Sequence, residues 1–315
     1  MGVNSQKIIF IVGPTAVGKS ETACLLAQRM QGEIVSCDSM QVYKEINIAT
    51  NKPSDEMLRA VPHHLINIVS VRDEFDAARF AALAMEAIQA VHARRHIPIV
   101  VGGSGLYMQI LLDGIFPDGP KNSLLREGLK AEAQMHGPHY LYDRLKKADP
   151  KTADKIHPRD LRRVIRALEV WILRRQPISS LQKNREGIWG KYDIKIVALS
   201  MERQRLHERI NERVDKMFCD GIVQEINGLG HLTLSLTAER IIGIREIRGY
   251  LNGEYDENQA RHLIKLNTRR FAKRQLTWFR REKRLQWIMI EKNDTVAGVA
   301  ERIIAVIGRD DVLRE

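Results

Sequence analysis

Several features expected of secreted or membrane proteins are scarce or missing in this 315-residue chain. Its three cysteines, Cys24, Cys37 and Cys219, form no C-x-x-C pair and match no zinc-ligand spacing. So sparse and odd a set excludes a disulfide framework and fits a reducing compartment, each thiol serving as a small buried hydrophobe. No run reaches the roughly 18 apolar residues of a membrane span. The leading MGVNSQK lacks the charged-then-apolar order of a secretory signal. Gln6 stands where acylation of Gly2 would require Ser or Thr. No low-complexity segment, clear repeat or apolar seam at coiled-coil spacing is present. The expectation is a cytoplasmic monomer with no membrane partner.

What is present reads as a soluble globular protein: 44% of residues are hydrophobic and 28% charged. The length allows two domains. The formal net charge is +11, which points to a polyanionic partner. That charge is concentrated. Residues 117–190 carry 16 Lys/Arg against 9 Asp/Glu, and residues 261–285 carry 10 against the single Glu282, so the remainder is net acidic.

Short β-type runs end in polar residues or glycine: KIIFIVG (7–13), EIVSCD (33–38), HLINIV (64–69), PIVVGG (98–103) and DIKIVALS (193–200), with LQWIMI (285–290) a further candidate. Stretches with helical apolar spacing, such as 19–30 and 76–92, alternate with them. The alternation predicts an α/β fold, a mostly parallel sheet with helices on both faces. Between 117 and 190 no strand pattern occurs. This segment reads as an all-helical insertion domain, and 1–116 with 191–315 as the core domain with C-terminal helices.

In such sheets ligands lie beyond the carboxyl ends of the strands. Three stations stand there. The first is Gly13-Pro14-Thr15-Ala16-Val17-Gly18-Lys19-Ser20, a G-x-x-x-x-G-K-[ST] phosphate loop between a strand and a helix, which makes the core P-loop NTPase-like. Its backbone N–H groups and the helix N-terminus face an anion. Lys19 would reach phosphate oxygens, and the Ser20 hydroxyl would bind Mg²⁺. The second is CDSMQVY, where Asp38 is either a base facing an acceptor or the N-cap of the next helix. The third is VVGGSGLY, where Ser104 either meets a ligand or belongs to an ordinary strand-to-helix turn. A second apolar strand ending in a metal-binding Asp, expected of a kinase or GTPase, is missing, as is a base-recognition motif.

Together these stretches resemble the tRNA dimethylallyltransferases, also called tRNA isopentenyl transferases, in their bacterial form. The resemblance rests on GPTAVGKS (13–20), DSMQVY (38–43), HHLIN (63–67), VVGGSGLY (100–107), DLRRVIRALEV (160–170), IIGIREI (241–247) and TRRFAKRQLTWFR (268–280), in order over nearly the whole chain. The chain departs from the family pattern at Ser104, usually Thr, at ATNKP (49–53), usually Gly-Thr-Ala-Lys-Pro, and at Ile244, usually Tyr. Arg245 keeps the charge of the family's lysine. The resemblance implies transfer of a dimethylallyl group from dimethylallyl diphosphate to the N6 amine of the adenosine 3′-adjacent to the anticodon in tRNA. The loop 13–20 and Arg209, favoured over Arg213, would then hold the diphosphate. Asp38, Ser104 and Lys19 would be catalytic. Asp38, Ser39, Met40, Gln41 and Ser104 would meet the adenosine. Arg126, Asp160, Arg163, Arg166, Arg240, Gly243 and Arg245 would contact the anticodon stem-loop.

The residues agree chemically. The adenine amine is a weak nucleophile, so a carboxylate that takes its proton as the bond forms helps. An adenine in an anticodon loop must be splayed out to react, which calls for basic helices around it. In TRRFAKRQLTWFR the aromatics Phe271, Trp278 and Phe279 read as core and the cations as a salt-sensitive nucleic-acid face. Three other readings stand beside this one. An adenylate isopentenyltransferase acting on free nucleotide would not need the basic insertion. A P-loop kinase of a small metabolite would not need RNA. An RNA-binding module without chemistry would not need Lys19, Ser20 and Asp38 together.

Overall fold

The computed structural model describes residues 6–115, 122–181, 185–230 and 232–308. The acylation reading at Gly2 and the start of the insertion at 117 lie outside these residues. Along the chain run β1 (Lys7–Val12), α1 (Lys19–Arg29), β2 (Gly32–Ser36), α2 (Asp55–Ala60), β3 (His63–His64), α3 (Ala77–Ala93), β4 (Ile97–Gly102) and α4 (Gly105–Asp113). Then come α5 (Ser123–His136), α6 (Pro138–Ala148), α7 (Pro150–Ala153), α8 (Leu161–Arg174) and α9 (Ile178–Leu181). The chain returns through β5 (Asp193–Met201), α10 (Arg203–Cys219), α11 (Ile222–Gly228), a 3-10 turn, α12 (Ile244–Leu251), α13 (Glu257–Phe279), β6 (Gln286–Ile290) and α14 (Val296–Ile307). Two compact units emerge: one to Gln109 and again from Trp189, the other Ile110–Ile188.

In the first unit all six strands are parallel, in the order β3-β2-β4-β1-β5-β6. The inner strands are apolar almost throughout, as a sheet covered on both faces requires; β1 reads KIIFIV with five of its six residues buried. Side chains alternate across the sheet. Ile9, Ile11, Val197 and Leu199 join Leu26 of α1 and Ile303 of α14 in one cluster. Ile8 and Phe10, equally buried, face the other side, and α3 packs on β2 and β4. Each such Ile or Leu contributes about 1.5–3 kcal/mol by leaving water. Register aligns the strand ends: Val12 pairs with Gly102 and Ser36 with Val101. The turns after β1, β2 and β4, three adjacent strands, therefore open side by side.

One predicted strand is cut short. Of HLINIV only His64 joins the sheet, in the two-residue strand His63–His64. Leu65 and Asn67 take left-handed backbone (φ 64° and 57°), so the chain turns away instead of extending. It returns for one parallel bridge, Tyr43 with Val69. Lys52 holds this bend, its Nζ donating to Tyr43 O (2.5 Å), Asn47 Oδ1 (2.8 Å) and Asn67 Oδ1. At the opposite end of the strands the buried Glu33 accepts from Arg94 Nε and Nη2, His64 Nε2 and His96 Nδ1, at 2.7–2.8 Å. The Arg94 pairing leads these contacts in holding the Glu33 carboxyl down to about 2.

The second unit is helical. Leu129 of α5, Leu141 and Leu145 of α6, and Val164, Ile165 and Leu168 of α8 form its core. Beside this core lies Glu169, fully buried, accepting from Arg126 Nε and Nη2 (2.8 and 2.7 Å), Arg166 Nη1 (2.6 Å) and Asn122 N (2.9 Å). Burial pushes its carboxyl up, but these bonds outweigh it and the group sits below its usual range. A buried charge is tolerated only while paired. Glu169→Ala is expected to lower unfolding free energy by about 3–5 kcal/mol, because two guanidinium groups lose their counter-charge. Denaturant unfolding checks this; a loss below 1 kcal/mol would mean that water replaces the carboxylate.

Candidate active site

The phosphate loop starts where β1 leaves the sheet. Gly13 has φ 146°, and a Cβ there would stand 2.5 Å from the Leu199 carbonyl oxygen, so only glycine fits. Ala16 and Gly18 take positive φ (67° and 96°), and Gly18 caps α1. The turn leads into the N-terminus of α1, the end of a helix that favours an anion. Lys19 curls over it, its Nζ donating to the Pro14 carbonyl at 2.7 Å. Burial, then the nearby Arg213 charge, lowers Lys19 to about 8, against the pull of Asp38 and Glu21.

Helix α10 supplies two arginines one turn apart. Arg213 Nη1 donates to Thr15 Oγ1 at 3.2 Å. The Arg209 guanidinium nitrogens stand 3.9 Å from where a Cβ on Gly18 would lie. Both reach the loop, and Arg213 alone of the two hydrogen-bonds to it among the described residues. Burial, with the Arg209 charge behind it, lowers the Arg213 pKa, and Glu21 opposes them.

Asp38 follows β2. Its Oδ1 accepts the Met40 N–H at 2.8 Å, but no helix begins there, so it is not an N-cap. Burial raises its pKa, opposed by the Met40 and Gln41 N–H groups and by Lys19. Perturbed carboxylate and ammonium groups of this kind, here at adjoining strand ends, cluster at functional sites. The Ser104 loop lies against it. Ser104 N donates to Cys37 O at 3.3 Å, and Ser104 Oγ accepts from Ser39 N at 3.2 Å. Gln41 is held at both ends of its amide, accepting from Ser36 Oγ (3.0 Å) and donating to Asn51 O (3.1 Å). Ser39 and Met40 complete the turn, half-buried beside Asp38.

Two residues were missed by reading the sequence. Gln275 of α13, 6% exposed, accepts the Thr15 N–H at 2.8 Å and donates to Gly103 O at 3.0 Å. Glu225 of α11 accepts three successive N–H groups, Asn47, Ile48 and Ala49, at 2.6–2.9 Å. It pins the turn whose Asn51 holds Gln41. Neither had a local signal, since each is an ordinary helical residue distant in sequence from what it binds.

The remaining predicted residues lie elsewhere. Gly243 opens α12, its N–H donating to Glu246 at 2.8 Å. A Cβ on it would stand 3.6 Å from Ala49. Arg240 and Arg245 are exposed, and Ile244, at the family's tyrosine position, is buried core. Arg245, Arg248 and Tyr255 help line a cavity of about 550 Å³. In the second unit, Asp160 caps α8 and pairs with the exposed Arg163 (3.2 Å), whereas Arg126 and Arg166 are engaged by Glu169. On α13, Phe279 is core and Phe271 and Trp278 are half-buried, while Arg270, Lys273, Arg274 and Arg280 are exposed and Arg269 donates to Asn211.

The donor set suits a hard cation only in part. Ser20 offers one hydroxyl, and among the described residues no group of three or more His, Cys, Asp or Glu could hold a metal. That fits a Mg²⁺ ion brought by phosphate oxygens and keeping most of its waters, rather than one in a protein cage.

Similarity to known proteins extends over most of the chain. The family model for IPP transferase matches residues 41–282. A protein of Halothermothrix orenii named tRNA dimethylallyltransferase is 42% identical over 294 residues, covering 92% of this chain and 90% of its own. The crystal structure of the full-length tRNA isopentenylpyrophosphate transferase from Bacillus halodurans superposes with a TM-score of 0.69 at 37% identity, covering 96% of this chain and 97% of that one. A eukaryotic dimethylallyltransferase captured acting on tRNA superposes with a TM-score of 0.82 at 31% identity, covering 96% of this chain and 78% of that one. By matched length, by identity and by fold, the chain belongs to the IPP transferase family.

Proposed function

We propose that this protein transfers the dimethylallyl group of dimethylallyl diphosphate to N6 of the adenosine 3′-adjacent to the anticodon in tRNA, releasing diphosphate. The observation that carries this reading is the convergence of a lysine-bearing phosphate loop with the half-buried carboxylate Asp38 and the Ser104 loop, in a family whose members are named for that reaction.

The loop amides, Lys19 and an arginine of α10 bind the diphosphate. Their positive charge favours the state in which the C1–O bond breaks and the electron pair leaves with the phosphate oxygen. Ser20 would hold a Mg²⁺ ion carried with the diphosphate, which supplies further positive charge there. The adenosine N6 forms the new bond to C1 and gives one proton to the Asp38 carboxylate. Ser104 and Ser39 line the acceptor side, and Gln41, fixed by Ser36 and Asn51, presents one edge of its amide to the base. The exposed cations of α13, with Arg163, Arg240 and Arg245, hold tRNA phosphates by salt-sensitive contacts. The working unit is a monomer. It works in the cytoplasm with its RNA substrate. Among the described residues no helix is long and apolar enough to cross a membrane.

The test is a transfer assay with Mg²⁺, isotope-labelled dimethylallyl diphosphate and tRNA lacking the modification, with AMP and ATP as rival acceptors. Label is expected in tRNA alone, as N6-dimethylallyladenosine after digestion. Label in free nucleotide would mean an adenylate isopentenyltransferase, and ATP consumption without label a kinase.

A further inference from the structure

The donor and acceptor loops are distant in the chain, one following β1 and the other β4. The reaction needs them at one separation, since N6 and C1 must meet in line. A continuous hydrogen-bonded path joins them. Arg213 donates to Thr15 Oγ1 (3.2 Å), Thr15 N donates to Gln275 Oε1 (2.8 Å), and Gln275 Nε2 donates to Gly103 O (3.0 Å). Ser104, next in the chain, takes the Ser39 N–H (3.2 Å) beside Asp38. At its centre is one buried side chain.

We propose that Gln275 is a positioning residue that sets the gap between the diphosphate cradle and the acceptor loop. A primary amide suits this. It must accept from an N–H at one end and donate to a carbonyl at the other, and those partners leave a single orientation for it. A carboxylate would serve Thr15 and repel the Gly103 oxygen; a thioether would serve neither. Gly103 completes the fit, since a Cβ there would leave no room for Nε2. Gln275 points away from the cationic face formed by Arg270, Lys273 and Arg274, so the two faces of α13 are separable by mutation. The proposal rests on the assignment of residues 13–20 to the donor and of Asp38 with Ser104 to the acceptor.

The test uses the full chain with Gln275→Glu and Gln275→Met, the second matching glutamine in volume. Donor KM, kcat at saturating substrates per folded molecule, and tRNA affinity are measured, with folding followed by thermal melting. A displacement of about 1 Å at the reacting centre costs about 10²-fold, so kcat should fall by about that factor in both variants. Donor KM should rise less, and tRNA affinity should stay within threefold. A role in stability alone would leave kcat per folded molecule unchanged. That result, or failure of both variants to fold, overturns the proposal. Lys19→Ala separates the remaining case: if it leaves donor KM unaltered, the cradle assignment is wrong and the proposal falls with it; if it raises donor KM while the Gln275 variants behave as wild type, Gln275 alone is misassigned.

Discussion

Asp38→Asn is expected to lower kcat for prenyl transfer by about 10²–10⁴-fold, the usual worth of a positioned general base. Binding of tRNA and of dimethylallyl diphosphate should stay within a few-fold. Asparagine keeps the shape and can still accept the Met40 N–H that shapes the turn, so the change isolates the proton acceptor from the scaffold. The pH dependence follows from the same group. Burial raises the Asp38 pKa, and the base works only when ionised. Activity should therefore fall as pH drops through this raised value, earlier than for an ordinary aspartate near 3.9. Asparagine should abolish that limb. Near-normal transfer by the variant at neutral pH would remove Asp38 from the mechanism.

Lys19→Ala is expected to weaken donor binding by about 10–100-fold, since truncating a charged hydrogen-bond donor costs about 1.5–3 kcal/mol. It should slow transfer further, because the leaving diphosphate gathers charge as the bond breaks. tRNA affinity should be spared. Lys19 titrates at about 8, below its ordinary value, chiefly through burial. Below that pH the ammonium is already charged when the donor arrives. Above it, binding must take up a proton, so donor affinity should decline as pH rises past 8. Calorimetry in buffers of different ionisation enthalpy reads that proton directly, and the alanine variant should show none. Equal loss of donor and tRNA binding would mean that the loop supports the whole site rather than the diphosphate.

How far the sequence reached follows from the range of each interaction. The phosphate loop, the Asp38 turn and the Ser104 turn were legible because each is local: an apolar run, then residues suited to a tight turn at a strand's end. The parallel sheet was legible for the same reason, since strands buried on both faces read as unbroken apolar runs. Two departures came from contacts that no window of sequence contains. HLINIV has strand composition, yet Leu65 and Asn67 turn left-handed, in a bend that Lys52 ties together from outside the run. Arg126 of α5 and Arg166 of α8 read from sequence only as cations for tRNA, yet both guanidinium groups converge on the buried Glu169.

By itself, then, the sequence determined the fold class, the family, and the residues at the three strand ends, because spacing within a dozen residues suffices for turns, strands and caps. Only the tertiary structure decided how those strand ends are joined. Gln275 lies 260 residues from Thr15 and 172 from Gly103, and Glu225 lies 178 from Asn47. Hydrogen bonds across such distances carry no periodicity, and they exist only once the sheet has brought β1, β4 and α13 together.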